Sequence, residues 1–166
     1  MLIVAKYVQN NRRLKFDKTW YRYIYPKNLL LFASEKLIAP EIAMGGQFSY
    51  DKKGEFYSTT TIYGYIKKSG VKESYIYLLA LLNSNLLWWF LRQTGTVLAN
   101  GYFRFKPNYL FPFPIPNVTA TEVAEIERLA IQCLTLPSEK TAKEIDAMIY
   151  SLYHLTSDDV AIIENS

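Results

Sequence analysis

Basic residues interleaved with aromatic ones recur along this chain, as Lys6-Tyr7, Arg12-Arg13-Leu14-Lys15-Phe16, Tyr21-Arg22-Tyr23 and Tyr102-Phe103-Arg104-Phe105-Lys106. Ammonium and guanidinium groups attract phosphates, aromatic rings stack on exposed bases, and arginine reads a guanine edge through two hydrogen bonds. The chemistry is that of nucleic-acid binding. Two further clusters fit it. In Gly45-Gly46-Gln47, Gly46 lets backbone come close to a ligand and Gln47 can hydrogen-bond the major-groove edge of adenine. Lys52 and Lys53 follow in a turn, where their ammonium groups can meet phosphates without disturbing a core. In the alternating stretch at residues 101–106, Arg104 and Lys106 share one face, and Phe103 and Phe105 share the other, which is expected to be buried. Gln47 and Arg104 are thus candidate base readers. Lys52, Lys53 and Lys106 are candidate phosphate contacts, and Gly46 and Tyr102 complete the DNA-binding set. The plainer reading of any one of them is a solvated basic face over an aromatic core.

No catalytic constellation stands beside these residues. The sequence has no Gly-rich phosphate loop, no Gly-x-Ser-x-Gly elbow and no His-Glu-x-x-His. Its one histidine, His154, reads as a surface residue at a helix C-terminus, and its one cysteine, Cys133, as part of a helix's apolar face. One cysteine rules out a multi-thiolate metal site, and with one histidine a zinc centre would have to be built mostly from carboxylates, against the usual ligand preference. A nuclease set would have to be drawn from Glu41, Asp51, Glu55 and Lys53, but Asp51 and Glu55 bracket a turn, the ordinary place for acids. The expectation is a binding protein with no catalytic residues, metal or cofactor of its own.

A fold of modest size must place these residues. The 166 residues are 50% apolar, 16% aromatic and 20% charged, enough to bury a core and too apolar for disorder. The net charge of +4 conceals an asymmetry: residues 1–116 carry 16 Lys and Arg against 6 Asp and Glu, while residues 117–166 carry 3 against 9. Aromatics divide the same way, 24 of the 26 lying before residue 117. A polyanion-facing domain, 1–116, is thus expected to precede a C-terminal helical appendage, 117–166. Alternate prolines in Phe111-Pro112-Phe113-Pro114-Ile115-Pro116 predict an extended connector between them.

Within the first part, Lys36 to Ala39, Gln47 to Tyr50, Phe56 to Ile66 and Gly101 to Lys106 read as strands, with Asp51-Lys52-Lys53-Gly54 as the turn between the second and third. Residues 75–91 are apolar except at Asn83-Ser84-Asn85, which leaves runs of eight and six, too short for a bilayer. The spacing predicts a buried helical hairpin over 73–95, with Leu79, Leu82, Leu86 and Phe90 inward. In the second part, Thr119-Ala120-Thr121-Glu122 is a capping box for a helix that presents Val123, Ile126, Ala130 and Cys133. A helix starting near Ser138 or Thr141 stacks Ile145, Met148, Ile149, Leu152 and Tyr153, and Thr156 caps a third carrying Val160 and Ile163. The fold class is α+β: a small, curved mixed β-sheet braced by an apolar helical hairpin and followed by short C-terminal helices. The single cysteine and the lack of a signal-peptide pattern fit a cytoplasmic protein with no membrane partner.

The order of several strings resembles a known family. Trp20-Tyr21-Arg22 is followed by Lys36-Leu37-Ile38-Ala39-Pro40-Glu41-Ile42-Ala43, by Phe48-Ser49-Tyr50-Asp51 with Gly54, and by Thr60-Thr61-Ile62-Tyr63. Then come Leu78-Leu79-Ala80-Leu81-Leu82-Asn83-Ser84, Gly101-Tyr102-Phe103-Arg104-Phe105 and Phe113-Pro114-Ile115-Pro116. Together they are similar to the TaqI-like C-terminal specificity, or target-recognition, domain of adenine-specific DNA methyltransferases, as found in type IIG restriction-modification enzymes. The tail from Glu144 to Thr156 resembles the ending of the same enzymes, so that the resemblance spans residues 18–165. It implies double-stranded DNA as partner. It also implies a full enzyme that methylates the exocyclic amine of adenine with S-adenosylmethionine after flipping the base. The Asn-Pro-Pro-Tyr-type motif which that chemistry needs is not in this sequence, and Asn117 after Pro116 is in the wrong order to replace it. The resemblance therefore implies a recognition fragment or stand-alone domain that binds without catalysing. Its other partner would be the methyltransferase domain of the same full-length protein, and S-adenosylmethionine would belong to that missing domain. Two alternatives stand beside it. A type I specificity subunit would follow the recognition domain with a long helix, whereas here Pro137 breaks the helices. A protein-interaction module using the aromatic face would bind with little salt dependence.

Overall fold

The computed structural model describes residues 29–57 and 61–166. The strings around Lys6, Arg12, Trp20 and Tyr21, and Thr60 of the Thr60–Tyr63 string, lie outside these residues. A short helix α1 (Leu29–Phe32) leads into β1 (Lys36–Pro40), the centre of an antiparallel sheet with β3 (Ser49–Asp51) on one side and β4 (Ile62–Tyr65) on the other. Glu41 carries the chain out of that sheet and into β2 (Ile42–Ala43), which pairs antiparallel with β5 (Phe103–Arg104) in a second, two-stranded sheet. The fold is α+β, and every described strand pairing is antiparallel.

The turn at Asp51–Gly54 does not join two paired strands, as its sequence led us to expect, because β1 lies between β3 and β4. A turn signal is local, whereas the central place goes to the strand with most to bury. On β1, Lys36, Leu37 and Ala39 are each 2% exposed, while β4 is half-buried along its length. The strands are also shorter than their patterns. Gln47 and Phe48 precede β3, Phe56 and Tyr57 lie in a loop, and β5 is two residues long. After it Pro107 opens a one-turn helix α4 (Pro107–Leu110) that the alternating pattern did not announce.

The apolar stretch forms two helices, α2 (Tyr75–Leu82) and α3 (Asn85–Thr94). Ser74 caps the first by accepting from the Tyr77 N–H at 3.0 Å, and Ser84 caps the second by accepting from the Leu87 N–H at 3.2 Å. The four residues expected inward all lie in or against the core. Leu79 and Leu86 are buried, but Leu82 and Phe90 are half-buried, and the positions sealed from solvent are Tyr77, Leu81, Leu87 and Leu91. The two helices also serve different neighbours. Helix α2 packs on β1, β3 and α5 (Ala120–Thr135), and α3 packs on α4, α6 (Glu139–Leu152) and α7 (Ser157–Glu164).

The C-terminal caps form as their sequences require, with reciprocal hydrogen bonds between Thr119 and Glu122 and between Thr156 and Asp159. On α5 the buried centre is Ile126, Leu129 and Ala130, with Val123 and Cys133 half-buried at its margins. His154 has φ +54, and the 3.1 Å bond from the Leu155 N–H to the Tyr150 carbonyl makes it the left-handed residue of a Schellman ending to α6. One apolar cluster runs from Leu37 to Ile163, and the proline-rich connector is tied to it by buried Phe113 and by the Tyr153 hydroxyl, which donates to the Pro114 carbonyl at 2.5 Å. No helix among the described residues is long and apolar enough to cross a membrane.

Candidate nucleic-acid interface

In β5, Arg104 stands opposite Ile42, and directly opposed residues share a face. The Arg104 guanidinium donates through Nη1 to Glu41 Oε1 at 2.9 Å, and both side chains are partly exposed. Glu41 is itself fixed by its backbone, since its N–H donates to Thr61 and its carbonyl accepts from Phe105, each at 2.7 Å. The arrangement aims Arg104 while leaving most of its five donors free for another partner. Tyr63 lies in the same field: burial, then the Glu41 carboxylate, raise its hydroxyl pKa, and Arg104 partly offsets them. Phe105 is 1% exposed, stacked on Trp88 at 6.2 Å, while Phe103 meets Trp88 edge-on and stays half-buried. Lys106 is exposed just beyond.

The tip of this small sheet is a tight turn. The Leu98 N–H donates to the Tyr102 carbonyl at 2.7 Å across Ala99–Gly101, where Asn100 and Gly101 have φ of +62 and +77. Facing it is the loop of residues 44–47. A Cβ placed on Gly101 would lie 3.8 Å from Met44 Cε, and Gly45, at φ +85, has open space around it. Met44, Tyr102 and Ile42 are exposed at 52%, 42% and 44%, so this face offers apolar and aromatic surface beside the Arg104 cation. Gln47 is exposed, with its Nε2 3.4 Å from the Met44 carbonyl, a weak contact that leaves the amide available. Gly46 is the point where this loop meets the end of α2. A Cβ there would be 2.7 Å from Asn83 Cα, so the missing side chain admits the end of α2.

Lys52 and Lys53 are exposed at the other end of β1, about 17 Å along the strand from the Glu41 corner. The loop that carries them is organised by Asp51, whose carboxylate accepts from the Glu55 and Phe56 N–H groups at 3.0 Å each and pairs with buried Lys36. Lys53 lies 3.8 Å from Glu55 across solvent, a contact of little energy. The structure thus brings Gln47, Tyr102, Arg104 and Lys106 to one end of the sheets and Lys52 and Lys53 to the other. Glu41 and Asp51 stand at opposite ends of β1, each committed to a cation, so they do not assemble a nuclease set. Among the described residues, no group of three His, Cys, Asp or Glu is placed to hold a metal. Sequence reasoning missed Glu41 as the partner of Arg104 and missed Asn83 as the neighbour of Gly46. The sequence signal for Asn83 was a polar residue interrupting an apolar run, which reads equally as a helix break.

The family model for the TaqI-like C-terminal specificity domain matches residues 3–115. This chain belongs to that family. As a TaqI-like specificity domain, it has the DNA sequence-specificity role of restriction-modification proteins, and a specificity domain is not catalytic in itself. The match takes in both sheets, α2, α3 and α4, and stops at Ile115, ahead of the acidic helices α5 to α7. A search of curated proteins finds no match.

Proposed function

We propose that this chain selects the duplex DNA sequence on which a type IIG restriction-modification enzyme or an adenine-specific DNA methyltransferase acts. Residues 1–116 serve as the target-recognition domain and residues 117–166 as a helical appendage. Methyl transfer, base flipping and S-adenosylmethionine belong to a methyltransferase domain of the same protein. The observation that carries the reading is the family match over residues 3–115. The geometry supports it. Arg104, aimed by Glu41, and exposed Gln47 are suited to base edges, while exposed Lys52, Lys53 and Lys106 are suited to phosphates.

Binding of the chain, alone and joined to a methyltransferase domain, to random-sequence and selected duplexes across a salt series tests the proposal. Affinity should fall steeply with salt. Arg104→Ala should cost roughly 1–3 kcal/mol on the preferred duplex and broaden the preference, while Lys53→Ala should weaken all duplexes alike and reduce the salt slope by about one. The exposed apolar residues Ile42, Met44 and Tyr102 favour a second reading, a protein-docking face. Salt-insensitive binding to a protein, with no duplex affinity in either form of the chain, would replace the DNA reading with that one.

A further inference from the structure

We infer that Asn83 is the positioning residue that holds the loop of residues 44–47 for base reading, an inference that rests on the proposed DNA role of that loop. Both polar atoms of the Asn83 side chain are committed to the main chain of one residue. Its Oδ1 accepts from the Phe48 N–H at 2.8 Å, and its Nδ2 donates to the Phe48 carbonyl at 3.0 Å. Phe48 is a firm anchor, because its ring is 5% exposed and packs against Tyr65 and Phe105 at 5.4 and 6.1 Å. Upstream, Gly46 rests against Asn83 so closely that a Cβ would be 2.7 Å from Asn83 Cα and 3.1 Å from its carbonyl carbon and oxygen. The far end of the loop is Ala43, 2% exposed in β2. Between two buried ends, the loop is therefore touched at Gly46 by the Asn83 main chain and clamped at Phe48 by the Asn83 side chain, while Met44 and Gln47 stay exposed.

The chemistry requires an amide of this length. Asparagine offers one donor and one acceptor on a short arm, whereas aspartate would set a charged acceptor against the Phe48 carbonyl. The next two residues explain why the junction cannot drift. Ser84 caps α3, and the Asn85 N–H donates to Asp146 of α6 at 2.9 Å, so three consecutive residues hold the loop, a helix and the C-terminal helices. A loop ordered before binding discriminates bases without the entropy cost of ordering it on the DNA. Phosphate contacts do not pass through Asn83. Its loss should therefore lower discrimination more than general affinity.

The test compares Asn83→Ala, Asn83→Asp, Gly46→Ala and Gln47→Ala in the full chain, with thermal unfolding to confirm folding. The readouts are enrichment of duplexes from a random-sequence pool and the salt dependence of binding to one random-sequence duplex. Asn83→Ala and Gly46→Ala should lower enrichment roughly fivefold or more at the base pairs that Gln47→Ala affects, with the salt slope unchanged. Asn83→Asp, which keeps the acceptor for the Phe48 N–H, should fall between. Loss of preference in Gln47→Ala with full preference in folded Asn83→Ala would overturn the positioning role and leave the DNA reading of the loop standing. Full preference in Gln47→Ala, or no duplex binding by the unaltered chain either alone or joined to a methyltransferase domain, would overturn that reading and this inference with it. If Asn83→Ala fails to fold, the other two variants decide, and full preference in both overturns the inference.

Discussion

Asp51→Ala should lower folding stability by about 3–5 kcal/mol, the cost of leaving a buried charge without its partner. The Lys36 ammonium and the Asp51 carboxylate are each 2% exposed and form an ion pair. Lys36 also donates to the Phe32 carbonyl at 2.5 Å, and Asp51 holds the N–H groups of Glu55 and Phe56. Removing the carboxylate leaves an ammonium with only carbonyl partners and frees the loop that presents Lys52 and Lys53. Urea unfolding measures the loss, and a value below about 1 kcal/mol would mean that water replaces the carboxylate at little cost. The pH dependence carries a sign. Burial raises the Asp51 pKa, but the Lys36 ammonium and the Phe56 and Glu55 N–H groups outweigh it, so that it lies below the ordinary 3.8. Its contribution is complete above pH 3.8 and is lost as the pH falls through the lower folded value. Asp146 works the other way. Burial, helped by Glu164 and opposed by the Asn85 N–H, pushes its carboxyl up to about 6, so its contribution is complete below pH 3.8 and is lost as the pH rises through about 6.

Leu81→Ala should cost about 2–5 kcal/mol, because Leu81 is wholly buried on α2, which packs against both the sheet and α5. Leu82→Ala, one position along the same helix, should cost clearly less, since Leu82 is only half-buried. Paired denaturation curves decide the matter. Equal losses would mean that half-buried Leu82 carries as much packing as its wholly buried neighbour.

The longer helices and the C-terminal caps were legible before any coordinates, because they depend on neighbours within four residues, whereas the one-turn helices α1 and α4 were not. Thr119 with Glu122 and Thr156 with Asp159 satisfy local backbone donors, and each does so in the folded chain, whereas Ser84 read only as part of a polar break and proved to be a cap. Strand partners were less legible. The Asp51–Gly54 turn read as a hairpin because nothing in the local pattern shows that β1, twelve residues upstream of β3, would come between its flanking strands.

The candidate surface divides along the same line. The types of residue that could meet DNA, the basic and aromatic alternation at Tyr102 to Lys106 and the exposed lysines at 52 and 53, were decided by the sequence, since charge and aromatic content are properties of residues themselves. Burial of Phe105 beneath exposed Lys106 also followed from alternation alone. Only the tertiary structure decided that Arg104 is aimed by Glu41, that Gly46 makes room for Asn83, and that Lys52 and Lys53 stand a strand's length from Arg104. Each of these joins residues 35 or more positions apart, or fixes a distance across a sheet. Such pairings are selected by which apolar faces bury each other best, a competition over the whole chain that no local pattern of residues records.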